Sequence, residues 1–196
     1  MAGDDTRDKI LKVSAKIFAH YGFHKTTIDE IAGAAHKAKG SVYYYFESKE
    51  ELFRAVVADE ISVIKTGLTQ VIVNSRDVTS MLRNFMLTRM LLVKEAVNYH
   101  ETVKADFIGG YDFLEDIRDE FFRFEMELLK AILDKGVREQ KLEIRDTNAT
   151  ANVIMLAVKA IEVPFYLQKK ISQYENTVLE LLDLIIRGIE KPNSVK

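Results

Sequence analysis

Two helix-start signatures of the same kind lie close together near the N-terminus and constrain the fold more than any other feature. Thr27 is followed by Glu30, and Ser48 is followed at the same spacing by Glu51. In such a capping box, the hydroxyl and the carboxylate satisfy amide donors that the start of a helix leaves free. The stretch from 26 to 52 is therefore predicted to contain short helices that start separately and in a fixed order.

The segment from Lys39 to Phe46 is predicted to be the second helix of a helix-turn-helix. A helix advances about 100° per residue, so Val42 and Phe46 share one face and are expected to pack inward. The opposite face, which we call the reading face, holds Gly40, Ser41 and Tyr44, with Tyr43 and Tyr45 on its flanks. A helix in the major groove of DNA needs this division, with small or hydrogen-bonding groups near base edges and donors for phosphates along its sides.

Double-stranded DNA is therefore the predicted partner of this region. Lysines stand at the edges of the reading face, and Thr27 lies at a helix N-terminus whose free amides and positive dipole end attract a phosphate oxygen. Tyrosines and lysines are often packing and solvated surface, but two boxes in this order favour DNA binding. The predicted DNA-binding residues are Thr27, Lys37, Lys39, Gly40, Ser41, Tyr43, Tyr44, Tyr45 and Lys49.

The rest of the chain has apolar residues at helical spacing and no strand-like alternation of any length. The predicted fold is all-α, with an N-terminal three-helix DNA-binding domain over residues 1–50 that contains the helix-turn-helix. A C-terminal helical ligand-binding and dimerisation domain is predicted over residues 51–196. A long helix from the second capping box to about Asn74 is expected to join the domains and act as a lever.

Three further helix boundaries are predicted from local signals. Gly136 is expected to end a long amphipathic helix that starts near Phe113, because glycine readily adopts the left-handed backbone of a helix C-terminus. The last helix is predicted to start near Thr177, which forms a further capping box with Glu180. Pro164 is expected to kink or end the helix before it.

Composition excludes several classes of protein. The chain has no cysteine, which excludes disulfides and thiolate chemistry and fits a reducing cytoplasm, the expected location. The longest uncharged run, 147–158, is too short for a bilayer span, which needs about 18 residues. The four histidines are scattered, the carboxylates have the spacing of solvated helix surfaces, and no phosphate-binding loop is present. No metal, cofactor, membrane association or enzymatic activity is expected.

The last two predicted helices carry more apolar surface than one small core can absorb, and such a surplus usually contacts a partner. A homodimer through a four-helix contact built from 147–163 and 176–189 is the most economical interpretation. A larger monomeric bundle would also bury both helices. The predicted dimer-interface residues are Ile154, Val158, Ile161, Leu182, Ile185 and Ile186.

The aromatic and methionine-rich segment from Phe85 to Met126 is predicted to line a cavity for a small apolar effector. Methionine adapts its shape, and aromatic walls suit flat or apolar ligands, although such residues are more often core. The predicted pocket residues are Phe85, Met86, Met90, Tyr99, Phe107, Tyr111, Phe121, Phe122 and Met155. Polar groups for orientation would come from His100, Glu101 and Asp106.

The N-terminal region resembles the DNA-binding domain of the TetR family of transcriptional regulators. The matching residues cover about a quarter of the chain and run from Gly22-Phe23 through 27–32 and 39–46 to 48–52. The resemblance implies an Ω-shaped homodimer that binds a palindromic operator. It also implies a variable C-terminal domain whose pocket takes a small ligand and thereby releases DNA, so a repressor is expected.

Three positions depart from the family's usual pattern. His36 stands at the turn position that is usually glycine, and Lys37 replaces the apolar residue that usually follows. Histidine tolerates a left-handed backbone better than most residues, and Lys37 is then expected to reach DNA instead of packing. Tyr45 replaces a common histidine, and its hydroxyl can still donate to a phosphate.

A second interpretation is a helical hydrophobic-ligand-binding protein of the same fold that lacks sequence-specific DNA binding. An enzyme hidden in the aromatic cavity is a variant of this alternative. Selection of a palindrome from randomised DNA duplexes would separate both from a regulator.

Overall fold

The computed structural model describes residues 2–108, 111–162 and 171–191, and most of these residues are helical. The helices are α1 (Ala2–Tyr21), α2 (Ile28–Ala35), α3 (Lys39–Tyr45), α4 (Lys49–Asn74), α5 (Val78–Glu95), α6 (Val97–Ile108), α7 (Glu115–Arg138), α8 (Thr147–Glu162) and α9 (Ile171–Ile189). A short 3-10 turn, Asp112–Leu114, precedes α7. Within the described ranges, extended backbone pairs only in an isolated antiparallel bridge between Leu142 and Glu190. The all-α fold class is confirmed.

The chain divides into two compact units. The first unit comprises residues 1–63 and 96–117, and the second comprises 64–95 and 118–196. The first unit thus contains α1 to α3, the N-terminal part of α4 and all of α6. The functional boundary expected after residue 50 stays a prediction.

An apolar core holds the helix-turn-helix within the first unit. Ile10 and Phe18 of α1, Ile31 of α2 and Val42 of α3 are each at most 1% exposed. Phe18 also meets the ring of Phe53 edge to face, with ring centroids 4.9 Å apart. Burial of side chains of this size stabilises a fold by about 1.5–3 kcal/mol each, so this core fixes how α3 lies on its neighbours.

Side-chain hydrogen bonds connect α1, α4 and α6 within the first unit. The Glu60 carboxylate of α4 accepts hydrogen bonds from the Asn98 side chain at 2.7 Å and from the Tyr99 backbone amide at 2.8 Å. Asn98 also donates to the backbone carbonyl of Ala15 in α1 at 3.2 Å. Burial raises the pKa of Glu60 above its ordinary value, and these donors oppose the rise. The carboxylate thus caps the otherwise unsatisfied start of α6.

Gly136 lies inside α7, so the expectation that it ends this helix is wrong. A Cβ atom built on Gly136 would lie 2.3 Å from Leu142 Cδ1 and 2.8 Å from Val78 Cγ1. Leu142 is buried against this bare stretch of helix. The glycine is explained by close packing, and the left-handed residue that follows the helix is Gln140, with a φ of 56°.

The last helix begins before the capping box that was expected to start it. It starts at Ile171, so Thr177 and Glu180 lie in its interior and are both exposed. A local signature of this type is overridden when the surrounding chain is already helical. Pro164 lies outside the described residues. None of the described helices is both long and apolar enough to cross a membrane.

Candidate nucleic-acid interface and cavity

The start of α2 carries the predicted capping box. The Glu30 amide donates to the Thr27 hydroxyl at 3.3 Å, and the Glu30 carboxylate accepts from the Thr27 amide at 2.8 Å. These bonds, from the Thr27 backbone first and its hydroxyl second, lower the pKa of Glu30. The first amides of a helix have no partner within it, and the capping box leaves those of Ile28 and Asp29 in this state.

The turn between α2 and α3 is closed by His36 in the left-handed conformation, with φ 54° and ψ 45°. Its amide donates to the Gly33 carbonyl at 3.1 Å, and the Lys37 amide donates to the Ala32 carbonyl at 2.9 Å. These two bonds form a Schellman motif, which usually has glycine at the left-handed position. His36 therefore adopts the left-handed conformation that the turn of the helix-turn-helix requires and for which glycine is usual.

The reading face of α3 is open to solvent, and the opposite face is closed. Tyr44 is 81% exposed and Tyr43 is 45% exposed, whereas Val42 and Phe46 are at most 2% exposed. The Tyr44 and Tyr45 rings meet edge to face, with centroids 4.9 Å apart. The structure therefore brings Gly40, Ser41 and the three tyrosines together on one short helix in the arrangement that the sequence indicates.

Two lysines beside the reading face contact groups of the protein. Lys39 Nζ lies 2.7 Å from Asp29 Oδ2, and both side chains are more than half exposed. The hydrogen bond to Asp29 raises the pKa of Lys39. Lys37 Nζ donates to the Thr6 hydroxyl of α1 at 3.2 Å. Water screens an exposed pair of this kind, so it holds Lys39 only weakly.

Lys49 differs from Lys37 and Lys39 because its ammonium contacts backbone carbonyls and an aromatic ring. Its ammonium donates to the backbone carbonyls of Phe23 at 3.0 Å and Thr26 at 3.1 Å. The same ammonium lies 4.4 Å from the centroid of the Phe23 ring. Lys49 therefore stabilises the loop between α1 and α2, and its predicted role in DNA binding stays a prediction.

The second unit contains a small cavity. The cavity and its open mouth enclose about 330 Å³, of which about 20 Å³ can hold the centre of a water molecule. Its lining is apolar apart from one arginine and one glutamate, and consists of Met86, Arg89, Met90, Val158, Ile161, Glu162, Leu181 and Leu182. Two predicted pocket residues, Met86 and Met90, line it together with three residues that were assigned to a dimer interface.

The other predicted pocket residues do not line this cavity. Phe85, Phe121 and Met155 are buried in the core, at most 1% exposed, and Phe122 places its ring 4.1 Å from Lys159 Nζ. Tyr99 and Tyr111 are buried in the first unit. Phe107 lies on α6, and its side chain is outside the described part, as are those of Glu101 and Asp106. His100 belongs to α6 in the first unit.

The predicted dimer interface needs a correction. Ile154, Val158, Leu182 and Ile186 are buried within a single chain, at most 7% exposed, and Ile161 and Ile185 are half-buried. Among the described side chains of these two helices, the large apolar ones that are exposed are instead Val153, Leu156, Leu179 and Leu184, each more than 40% exposed. On helices that are apolar nearly all round, sequence spacing alone does not indicate which face turns inward.

Sequence reasoning also missed a buried charged cluster in the second unit. Arg89, Glu125 and Glu162 are each at most 4% exposed, whereas the spacing of the carboxylates had indicated solvated surfaces. Arg89 interrupts the apolar run between Met86 and Leu92, and that interruption was an available signal. Within the described ranges, no group of three or more potential ligands is placed to hold a metal ion.

The fold and the first unit define a helix-turn-helix DNA-binding protein with an additional helical unit. Residues 10–56 match the family described as bacterial regulatory proteins, tetR family. The regulator QacR of Staphylococcus aureus is 23% identical over 94% of this chain and 98% of its own length.

Solved structures are similar over nearly the whole chain. FadR from Bacillus subtilis, in complex with stearoyl-CoA, superimposes with a TM-score of 0.74 at 18% identity, over 92% of this chain and 98% of its own. A SmeT–triclosan complex gives 0.78 at 17% identity, over 96% and 93%. These comparisons support a TetR-family transcriptional regulator, and the family model covers the helix-turn-helix region of this chain.

Proposed function

We propose that the chain represses transcription in the cytoplasm by binding a palindromic operator as a homodimer, and that an apolar or aromatic small molecule releases it. The exposed reading face of α3 is the observation that carries the proposal. An aromatic side chain that is 81% exposed, as Tyr44 is, leaves a large apolar surface in water unless a partner covers it. Gly40 beside it permits close approach to base edges.

The surroundings of the reading face suit a DNA backbone. The free amides at the start of α2 and the hydroxyls of Tyr43 and Tyr45 provide donors for phosphate oxygens on both sides of Tyr44. Lys39 provides a charge that is paired with the exposed Asp29. We therefore assign base reading to Gly40, Ser41 and Tyr44, and phosphate contacts to Thr27, Lys39 and the flanking tyrosines.

The proposed dimer uses the exposed sides of α8 and α9. Val153 and Leu156 of α8 lie on one helical face together with the exposed Ala160, and Leu184 of α9 is 57% exposed. An apolar, partly small-residue face of this kind suits helix packing against an identical copy. A second copy would also supply the second reading face that a palindrome requires.

The cavity of the second unit supports an effector. It is apolar for the most part, and the two methionines at its wall can change rotamer to admit a ligand. Relatives with the same fold have been solved with stearoyl-CoA or triclosan, both of which carry apolar or aromatic groups. Two related proteins named KstR2 are described as repressors.

Selection from randomised DNA duplexes with the full-length protein tests the proposal. We expect enrichment of one palindrome with half-sites about 34–36 Å apart or a multiple of this distance. Sedimentation of the protein should show a dimer. Selection that yields no sequence preference, with the fold intact by circular dichroism, would instead support a ligand-binding protein without specific DNA recognition.

A further inference from the structure

Three charged side chains meet in the interior of the second unit. Arg89 of α5 places Nε 2.5 Å from Glu125 Oε1 of α7 and Nη2 2.6 Å from Glu162 Oε1 of α8. The side chains of Arg89, Glu125 and Glu162 are at most 5% exposed. One guanidinium therefore lies between two carboxylates that come from different helices.

This cluster has more negative than positive charge. With both carboxylates ionised, the three groups sum to −1, and an uncompensated charge in the interior costs several kcal/mol. Lys159 also attracts Glu125, but its side chain is exposed, so water screens its charge. Burial raises the pKa of Glu125, and the charge and the hydrogen bond of Arg89 oppose the rise.

Glu162 is the member of the cluster whose carboxylate has an incomplete set of contacts. Its Oε1 lies within ion-pair distance of Arg89, yet no donor meets this buried atom with hydrogen-bonding geometry. Glu162 also lines the cavity, where the surrounding walls are formed by Met86, Met90 and Leu181. A buried, incompletely satisfied carboxylate thus lies at an otherwise apolar cavity.

We propose that this cavity binds the cationic head group of an apolar effector, an alkyl or arylalkyl ammonium, with Glu162 as its counter-ion. The inference rests on the proposed function, because it specifies the chemical class of the effector. A bound cation brings the charge of the cluster to zero and gives Glu162 a charge-assisted partner. The apolar walls then hold the hydrocarbon part of the ligand.

An anionic effector fits the same cavity poorly. The obvious partner for an anion is Arg89, and its guanidinium already contacts both Glu125 and Glu162. A carboxylate ligand would add a third negative charge beside a single guanidinium, and the excess negative charge in the interior would grow. A neutral ligand would leave the excess charge as it is.

The size of the cavity is compatible with a head group but requires movement for the rest of the ligand. Its inner space of about 20 Å³ accommodates about one water molecule, which is comparable to a primary ammonium. Met86 and Met90 are unbranched and flexible, so their side chains can open a path for a hydrocarbon tail.

Isothermal titration calorimetry of the full chain with three compounds that share one tail tests the inference. The compounds are 3-phenylpropylammonium, 3-phenylpropanol and 3-phenylpropanoate. We expect the ammonium to bind about tenfold or more tighter than the alcohol, since hydrogen bonds to charged groups are worth that much, and the carboxylate to bind weakest. Equal affinities, or tightest binding of the carboxylate, would overturn the inference on the wild-type protein alone.

The variant Glu162→Gln removes the excess charge while it keeps the shape of the side chain. We expect the preference for the ammonium over the alcohol to fall to about threefold or less, because a neutral amide cannot act as a counter-ion. The matched control is Glu180→Gln on the exposed side of α9, which should keep the preference. An undiminished preference in folded Glu162→Gln would place the cation elsewhere and contradict the inference.

Operator binding in the presence of each compound separates this inference from the proposed function. If the ammonium binds in a Glu162-dependent manner and leaves operator affinity unchanged, the cavity is a cation site and release by an effector fails. If other compounds release the operator and the head-group series shows no preference, the proposed function stands and the cation site is wrong.

Discussion

The carboxylate of Glu30 lies 2.8 Å from the backbone amide of Thr27, at the helix end to which we assign a phosphate contact. The same carboxylate accepts the Thr27 hydroxyl at 2.9 Å. In the free protein, an anion of the protein itself therefore occupies donors that a DNA phosphate would use. The capping box stabilises α2, but its negative charge opposes the phosphate.

Replacement of Glu30 by glutamine should separate these two effects. Glutamine also serves in a capping box, so the free energy of unfolding should change little. Operator affinity should rise severalfold, because a like charge near the phosphate is removed. Fluorescence anisotropy with labelled operator checks this, and an unchanged or weaker affinity in the folded variant would contradict the placement of a phosphate there.

Substitution of Tyr44 should abolish operator binding without a loss of stability. Its side chain is 81% exposed, so Tyr44→Ala removes little packing, whereas Val42→Ala on the buried face should cost about 1–3 kcal/mol. Tyr44→Phe isolates the hydroxyl, and a loss of about tenfold is expected if it donates to a base edge. Urea denaturation and gel shifts provide the two measurements. Tight operator binding by Tyr44→Ala would rule out this reading face.

Substitution of Lys49 should affect stability, whereas substitution of Lys39 should affect DNA binding. Lys49→Met should lower the free energy of unfolding by about 1–2 kcal/mol, because the Phe23 and Thr26 carbonyls lose a charged donor. Lys39→Ala should leave stability nearly unchanged and reduce the salt dependence of operator binding by about one phosphate contact. Comparison of urea midpoints and of affinity across salt concentrations tests both, and a reversed pattern would exchange the two roles.

The ion pair between Arg54 and Asp116 should affect how the free energy of unfolding depends on pH in acid. Hydrogen bonding from Arg54 lowers the pKa of Asp116 to about 2. A lowered pKa in the folded state adds stability above the ordinary aspartate pKa of 3.8, and this stability is lost as pH falls from there through about 2.

The variant Asp116→Asn should therefore show a flatter fall of melting temperature between about pH 4 and pH 2 than the wild type. Both side chains are substantially exposed, so water screens the pair and the effect should shrink as salt increases. Thermal denaturation across this pH range checks the expectation. A parallel curve for the variant would show that the pair adds nothing to stability.

The helix-turn-helix was predictable because its signals are local. Thr27 and Glu30 lie one helical turn apart, and Val42 and Phe46 face the core because of helical spacing alone. The left-handed turn at His36 was also expected from its place in the motif, and the structure has it there.

The second unit was less predictable because its features depend on contacts between distant segments. Arg89, Glu125 and Glu162 come from three helices, and no sequence spacing indicates that they meet. Gly136 was misinterpreted for the same reason, since the leucine that packs on it belongs to a later stretch of chain. The apolar residues of α8 and α9 likewise did not indicate which face of each helix turns inward.

The first unit is formed by two separate stretches of the chain, which limits where the protein can be divided into fragments. Its residues come from 1–63 and from 96–117, and α6 in the later stretch provides Asn98, which contacts both Glu60 and Ala15. A gene fusion that ends within α4 would transplant the reading face without this support. We therefore expect that residues 1–63 alone do not form a stable DNA-binding unit. A chimaeric regulator with a new effector specificity should replace residues within 64–95 and 118–196 and should retain α6.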